Sequence, residues 1–388
     1  MTDPKYVRKL LLSLSDEQLM EFLGASSTSN PVKSTKKTSK QNTPIRWFDQ
    51  DIRALDKDGL LHLEELESEK RRNITRHFEE KQLRYLRTLK DMRLEVPDSF
   101  RSITDPKKLY VDLKGFCEEN DIPTEIIDRI VPALLEYIST GRLRPVIFVG
   151  EKGCGKTTAV KKLVSKALQI PTEVIKIPQT DGSHGITGDC ATYQSADCGC
   201  MARAILKHNS MIVAYVFDEI DKVPHRFSNQ SSVDDELLSI TDESNDSIYD
   251  DYLEVNINLQ YSAMFFTGNK LEDINPILAD RCTIIKFPTA SADRLKSIAR
   301  KYVKSKLNST LFDHIKFDYS LMDNAIDRLV GSNVTSIRKH QQMIEIVLDK
   351  CLNIYFNNPN DELVNTTEEM FNDAINAVSE TEKRRIGF

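Results

Sequence analysis

The sequence lacks long apolar runs: the longest, such as Met211–Phe217, is about seven residues, against the roughly 20 needed to cross a bilayer. It also lacks an excess of charge of one sign. Lys and Arg number 53 and Asp and Glu 59, for a net charge of −6, which excludes a broadly basic nucleic-acid coat but leaves room for a local basic patch. No two of the seven cysteines stand in a CxxC pair, and an odd count in a long chain argues against a disulfide framework. The first 24 residues carry Asp3, Asp16, Glu17 and Glu21. They fit neither a secretory signal, which needs a clean apolar stretch, nor an acid-poor transit peptide. No internal repeat is present. A soluble intracellular protein, cytoplasmic or nuclear, without a membrane partner, is the expectation. A hydrophobic content of 40% in 388 residues excludes a wholly disordered chain and leaves room for more than one domain.

The texture changes along the chain. Residues 1–24 read as a short amphipathic helix, with Leu10, Leu11, Leu14, Leu19 and Phe22 at helical spacing. Residues 25–45 are rich in Ser, Thr and Lys with hardly an apolar side chain, the composition of a flexible linker. Lysines 33, 36, 37 and 40 could touch nucleic acid or serve as a nuclear signal, but a solvated tether is expected. Residues 46–112 form a helical region, and within 50–94 the irregular spacing of Leu60, Leu63, Ile74, Phe78, Leu83, Leu86 and Leu89 predicts one packed helix or a helical hairpin rather than a regular coiled coil. From 113 to 290, helical segments alternate with short apolar runs at 146–149, 174–177, 211–217, 262–267 and 283–287. That alternation predicts an α/β fold with a parallel sheet covered on both faces. After Pro288 the strands are expected to stop, and residues 291–388 read as four helices.

The strongest local signal is Gly150-Glu151-Lys152-Gly153-Cys154-Gly155-Lys156-Thr157, followed by Thr158. It lies between an apolar strand and a helical pattern, the context a phosphate-binding loop requires. Glycines let backbone N–H groups turn inward around a phosphate, and the helix start adds partial positive charge. Lys156 is placed to reach the β- and γ-phosphates of ATP, and the Thr157 hydroxyl to hold Mg²⁺. About 60 residues on, an apolar strand ends in Asp218-Glu219. Asp218 there can hold the magnesium shell and Glu219 can polarise an attacking water; a helix-capping acidic pair is the plainer alternative. Asn269 ends the run YSAMFFTGN, where an amide can orient that water, and Arg281 stands in LADRC just before another strand.

These elements, in this order, resemble the AAA+ ATPases, and more narrowly the ATPase module of Lon-type proteases. The stretches ALLEYISTGRLRPVIFVGEKGCGKT, HGITGDCATYQSADCGCMARAI and DDELLSITDESNDSIYDDYLEVNINLQYSAMFFTGN carry the likeness. It covers about residues 125–290 well and the helical lid more loosely, and it does not reach residues 1–112. It implies a five-stranded parallel sheet with a helical lid, assembled as a homohexameric ring. Residue by residue, Lys156 and Thr157 become Walker A, Asp218 and Glu219 Walker B, and Asn269 sensor 1. Arg281 becomes the finger that reaches a neighbouring subunit's nucleotide. Tyr193 falls at the pore-loop aromatic that grips an extended polypeptide client.

Three departures accompany the resemblance. Gln194 follows Tyr193 where an apolar residue is usual. Thr335 stands at the sensor-2 arginine, with Arg338 one turn on as its substitute near the nucleotide. The remaining chain is too short for a Ser-Lys protease domain, so a Lon-like ATPase without proteolysis is expected. Cys190, Cys198 and Cys200 with His184 do not follow a recognised zinc spacing. Residues 227–269 hold nine acids and no Lys or Arg, read as a solvated face or a contact with a basic neighbour subunit. The function expected is ATP-driven remodelling or translocation of a protein client. A nucleic-acid ATPase of replication or packaging, a nucleotide-bound scaffold, and a regulator of a separate protease are the alternatives.

Overall fold

The computed structural model describes residues 52–72, 79–102, 105–177, 184–191, 195–223, 233–357 and 363–386. The short helix expected at 1–24 and the linker at 25–45 lie outside the described residues. Two compact units are present.

The first unit takes in the described residues up to Glu118, Pro123–Val149 and Thr157–Lys286. Its strands are β1 (Val146–Val149), β2 (Thr172–Lys176), β3 (Ala214–Asp218), β4 (Ser247–Asp250), β5 (Val255–Asn258), β6 (Ala263–Gly268) and β7 (Thr283–Lys286). Five of them form one parallel sheet in the order β2-β3-β6-β1-β7, the sheet the apolar runs predict. All six residues of β6 are buried, as are the first four of β3 and the first three of β1. A strand covered on both faces has no polar alternation, hence the continuous apolar runs. Tyr215, Phe217 and Phe266 stack in series with centroids 6.3 and 5.2 Å apart.

Pairing trims the expected strand ends. Ala214 aligns with Thr172 and Ala263, so the buried residues Met211–Val213 precede β3 rather than belong to it. Strands β4 and β5 form an antiparallel hairpin within the acidic stretch, where the sequence reading named no strand pair. Two helices, Lys57–Arg71 and Glu79–Asp91, stand on either side of residues 73–78, which lie outside the described residues and include the predicted Ile74 and Phe78. Their Leu63, Leu83, Leu86 and Leu89 are fully buried in the same core as the sheet residues Ile147, Tyr215 and Phe266. The segment before them joins the hairpin: Leu55 bridges Ile257, and Asn258 N–H donates to the Ala54 carbonyl at 3.2 Å.

The second unit comprises Glu119–Ile122, Gly150–Lys156 and the residues from Phe287 onward. Its helices are Ala292–Leu307, Tyr319–Gly331, Ile337–Asn357 and Glu368–Ile386, close to the four expected. Ser291 and Asp318 cap the first two through their side-chain oxygens. The expectation that strands stop after Pro288 needs correction. β8 (Ile315–Lys316) and β9 (Val364–Asn365) form a two-residue parallel pair, too short for a periodic signal. Among the described residues no helix is long and apolar enough to cross a membrane.

Candidate functional site

The glycine loop follows β1 and packs, through Gly150–Lys156, within the second unit. Gly153 and Gly155 have φ of +82° and +90°, conformations that favour glycine. A Cβ on Gly153 would lie 2.2 Å from Ser336 Oγ, so the loop's close approach to the helix at Ile337 also requires glycine. Ile337 N–H donates to the Gly153 carbonyl at 2.9 Å. Lys156, only 7% exposed, donates from Nζ to the carbonyls of Gly150 (2.6 Å) and Glu151 (2.9 Å) and lies 4.0 Å from Cys154 Sγ. Burial pushes the Cys154 thiol up, which keeps it protonated beside that ammonium.

Glu151, Lys152 and Thr158 are exposed. Thr335 Oγ1 donates to Glu151 Oε2 at 3.2 Å, and Arg338 is exposed on the following helix. The arginine that touches the loop in this unit is Arg294, which sequence reasoning missed. Its Nη2 donates to the Cys154 carbonyl at 3.3 Å and its Nε to the Asp121 carbonyl at 2.7 Å, while the guanidinium lies over the Phe287 ring.

A second set of residues stands at the carboxyl ends of β3 and β6. Phe217 aligns with Phe266 in the parallel register, so Asp218 comes level with Thr267. Asp218 Oδ1 accepts from Thr157 Oγ1 at 2.6 Å and from the buried Thr267 hydroxyl. Thr267 in turn accepts from Glu219 N–H at 3.4 Å. The Thr157 hydroxyl and the Asp218 carboxylate are hard oxygen donors side by side, a donor set that suits Mg²⁺. Glu219 takes φ of +64°, a sparsely populated conformation for a side-chain-bearing residue, where β3 gives way to the turn 220–222. Its Oε1 is 2.6 Å from Lys222 Nζ. Asn269 Nδ2 donates to Asp221 Oδ2 at 2.7 Å, which fixes the orientation of the amide.

Arg281 closes the helix Pro276–Arg281, and the acidic stretch of the same chain receives it. Its Nη1 donates to the Leu238 carbonyl at 2.5 Å and its Nη2 pairs with Asp242 Oδ2 at 3.3 Å. Arg142 makes a two-pronged pair with Asp246, both contacts 2.9 Å. At least two of the nine acids, Asp242 and Asp246, therefore have cations of their own chain, where the sequence reading placed solvent or a neighbour.

Tyr193 and Gln194 lie outside the described residues. The chain on either side is tied together: Gly188 bridges Cys198, and Asp189 N–H donates to the Asp197 carbonyl at 3.1 Å. Asp250 accepts from the N–H groups of Gly199, Tyr252 and Leu253 at 2.8, 3.1 and 2.9 Å. Burial outweighs these bonds and pushes its carboxyl up to about 7. Among the described residues no group of three or more His, Cys, Asp or Glu could hold a metal ion.

Sequence reasoning named Asp218, Glu219, Asn269 and Arg281 but not the residues that hold them: Thr267, Asp221, Lys222 and Asp242. Asp221 and Lys222 stand two and three residues after Glu219, and Thr267 stands two residues before Asn269. That adjacency was the signal available.

Residues 146–289 match the family described as "ATPase family associated with various cellular activities (AAA)". Lon protease of Syntrophus aciditrophicus is 30% identical over 201 residues, 49% of this chain and 25% of that protein. Lon protease of Lawsonia intracellularis is 29% identical over 262 residues, 65% and 31% of the two chains. A Lon protease homolog of Acanthamoeba polyphaga mimivirus is 28% identical over 208 residues, 52% and 20%. The chain spans about a fifth to a third of the length of these curated relatives.

Proposed function

From a chain that carries an AAA ATPase domain similar to that of Lon proteases, we propose an ATP-hydrolysing motor that assembles as a homohexameric ring and remodels or translocates a protein client. One observation carries the reading: Thr157, at the end of the glycine loop motif, and Asp218, 61 positions on, share a 2.6 Å hydrogen bond. Two motifs read separately in the sequence thus meet in the fold at a bond that a capping acid would not make.

In the proposed cycle, backbone N–H groups of Gly150–Gly155 and the Lys156 ammonium receive the phosphates, which take the place of the loop carbonyls that Lys156 now contacts. Thr157 and Asp218 hold Mg²⁺, which when bound neutralises charge on the phosphate oxygens. Glu219 accepts a hydrogen bond from the attacking water and polarises it toward the γ-phosphorus. The Asn269 amide oxygen, its rotamer set by Asp221, orients the same water. Lys156, and Arg281 from the adjacent subunit, stabilise charge on the transferred phosphoryl oxygens. Tyr193 grips the client. The protein client is taken from the relatives, whose names say protease.

Glu219→Gln tests the chemistry: ATP should stay bound in an assembled ring with turnover reduced at least a hundredfold, and wild-type turnover would refute the assignment. Parallel ATPase assays with unfolded casein, single-stranded DNA and duplex DNA test the client class. Acceleration by casein alone is expected. Acceleration by DNA alone would replace the protein client with nucleic acid.

A further inference from the structure

Arg281 is held in an unusually complete way for a partly exposed side chain. Its backbone is fixed first: Arg144 Nη2 donates to the Asp280 carbonyl at 2.8 Å and Arg144 Nε to the Arg281 carbonyl at 3.3 Å. Its guanidinium is fixed second. Leu238 lies in the last turn of the helix Val233–Ile240, where carbonyls lack intrahelical donors and carry partial negative charge. The Leu238 carbonyl takes Nη1, and Asp242, two residues past that helix, takes Nη2.

Asp242 is itself held. Its Oδ1 accepts from Ser244 N–H at 3.0 Å and from Ser244 Oγ at 2.6 Å, so Oδ2 is turned toward the arginine. The Ser244 bonds hold the Asp242 carboxyl below its usual range, with Arg281 adding to the effect, so the carboxylate is ionised at neutral pH. Asp242 and Arg144 are among the residues that line a cavity of about 280 Å³.

A guanidinium has five N–H donors in a planar fork. Leu238 and Asp242 engage Nη1 and Nη2, while a third of the side chain's surface, 33%, stays exposed. An exposed pair of this kind adds little to stability, so the arrangement needs another explanation than folding. A long side chain that must reach another subunit loses less entropy on contact if its rotamer is already set.

Building on the arginine-finger reading above, we infer that Asp242 is the positioning residue of the finger: it orients Arg281 within its own chain so that the guanidinium acts on the nucleotide of the next subunit. Asp242 touches no nucleotide of its own. Its loss therefore slows hydrolysis in the neighbour and leaves ATP binding in its own subunit intact.

Asp242→Asn is the variant to use, because Asn keeps the Ser244 acceptor and turns only the arginine-facing oxygen into a donor. The expected result is a fall in kcat of at least tenfold, with KM for ATP within about twofold and ring assembly unchanged. Subunit mixing then separates a role through Arg281 from a merely structural one. Rings formed from equal parts Asp242→Asn and Lys156→Ala subunits contain Asp242→Asn nucleotide sites next to intact fingers. Head-to-tail neighbours in a random ring should restore about a quarter of the wild-type rate, far above the sum of the two variants alone. Arg281→Ala mixed with Lys156→Ala is the companion measurement. If that mixture recovers activity and the Asp242→Asn mixture does not, the positioning role is overturned while the finger reading stands. If neither recovers, Arg281 does not act in trans and the inference falls with it.

Discussion

The two sets of candidate residues are organised by different means. In the second unit, Gly150–Lys156 is shaped by its backbone: positive φ at Gly153 and Gly155, loop carbonyls around the Lys156 ammonium, and a backbone bond from Ile337 to Gly153. At the carboxyl edge of the sheet in the first unit, side chains hold side chains: Thr267 and Thr157 on Asp218, Asp221 on Asn269, Lys222 on Glu219, Asp242 on Arg281. A backbone-built loop presents donors that no rotamer change can remove. A side-chain-built edge presents groups that can exchange partners during a cycle. Substitutions should therefore act steeply in the first set and by gradation in the second.

The steepest effect on nucleotide binding is expected at Gly153. A methyl there meets both the positive φ and Ser336, a strain on the order of 1–3 kcal/mol, or roughly five- to 150-fold in nucleotide affinity. Titration of a fluorescent ATP analogue onto Gly153→Ala measures it. Adding Ser336→Gly should recover the steric part and leave the backbone part. Full recovery would mean that packing alone, rather than backbone shape, makes the glycine necessary.

The same contrast governs what could be read in advance. The glycine loop was legible because backbone requirements fix residue type at fixed spacing, and neighbours in the loop are neighbours in sequence. The central strands β1, β3 and β6 were legible because burial on both faces leaves continuous apolar runs. The partners at the sheet edge were not, because Asp218 meets Thr267 only through the β3–β6 register, across 49 positions. Arg294 meets Cys154 across 140 positions, and its helix reads as an ordinary amphipathic one. The β4–β5 hairpin was missed because its acids mask the alternation of Ile248, Val255 and Ile257, all buried.

A smaller effect is expected at Asp250, where a side chain serves the backbone and so straddles the comparison. Its carboxyl rises from 3.8 to about 7 in the folded state because burial disfavours the charge. The folded chain then binds a proton that the unfolded chain releases between those pH values, so this contribution to stability is present at low pH and lost as pH rises toward 7. The slope is at most about 1.4 kcal/mol per pH unit. Denaturant unfolding of the wild type and Asp250→Asn from pH 5 to 8 should show the slope in the wild type alone. Parallel pH profiles would show that the three N–H bonds, not burial, set this carboxyl.

The smallest effect is expected at Lys222, and it tests the side-chain edge most directly. Its ammonium lies 2.6 Å from Glu219 Oε1, while both side chains are partly exposed, at 41% and 30%. Such a pair is worth about 0.2–1 kcal/mol. If the bond must break before Glu219 can turn to the attacking water, that energy stands in the barrier, and Lys222→Met should raise basal ATP turnover by about 1.4- to fivefold. KM for ATP should stay unchanged, since Lys222 holds the glutamate and not the phosphates. A fall in turnover instead would mean that Lys222 keeps Glu219 in its productive rotamer despite the strained φ of +64°. The edge would then be as fixed as the glycine loop, and the distinction between the two sets would collapse at the residue where the chemistry is placed.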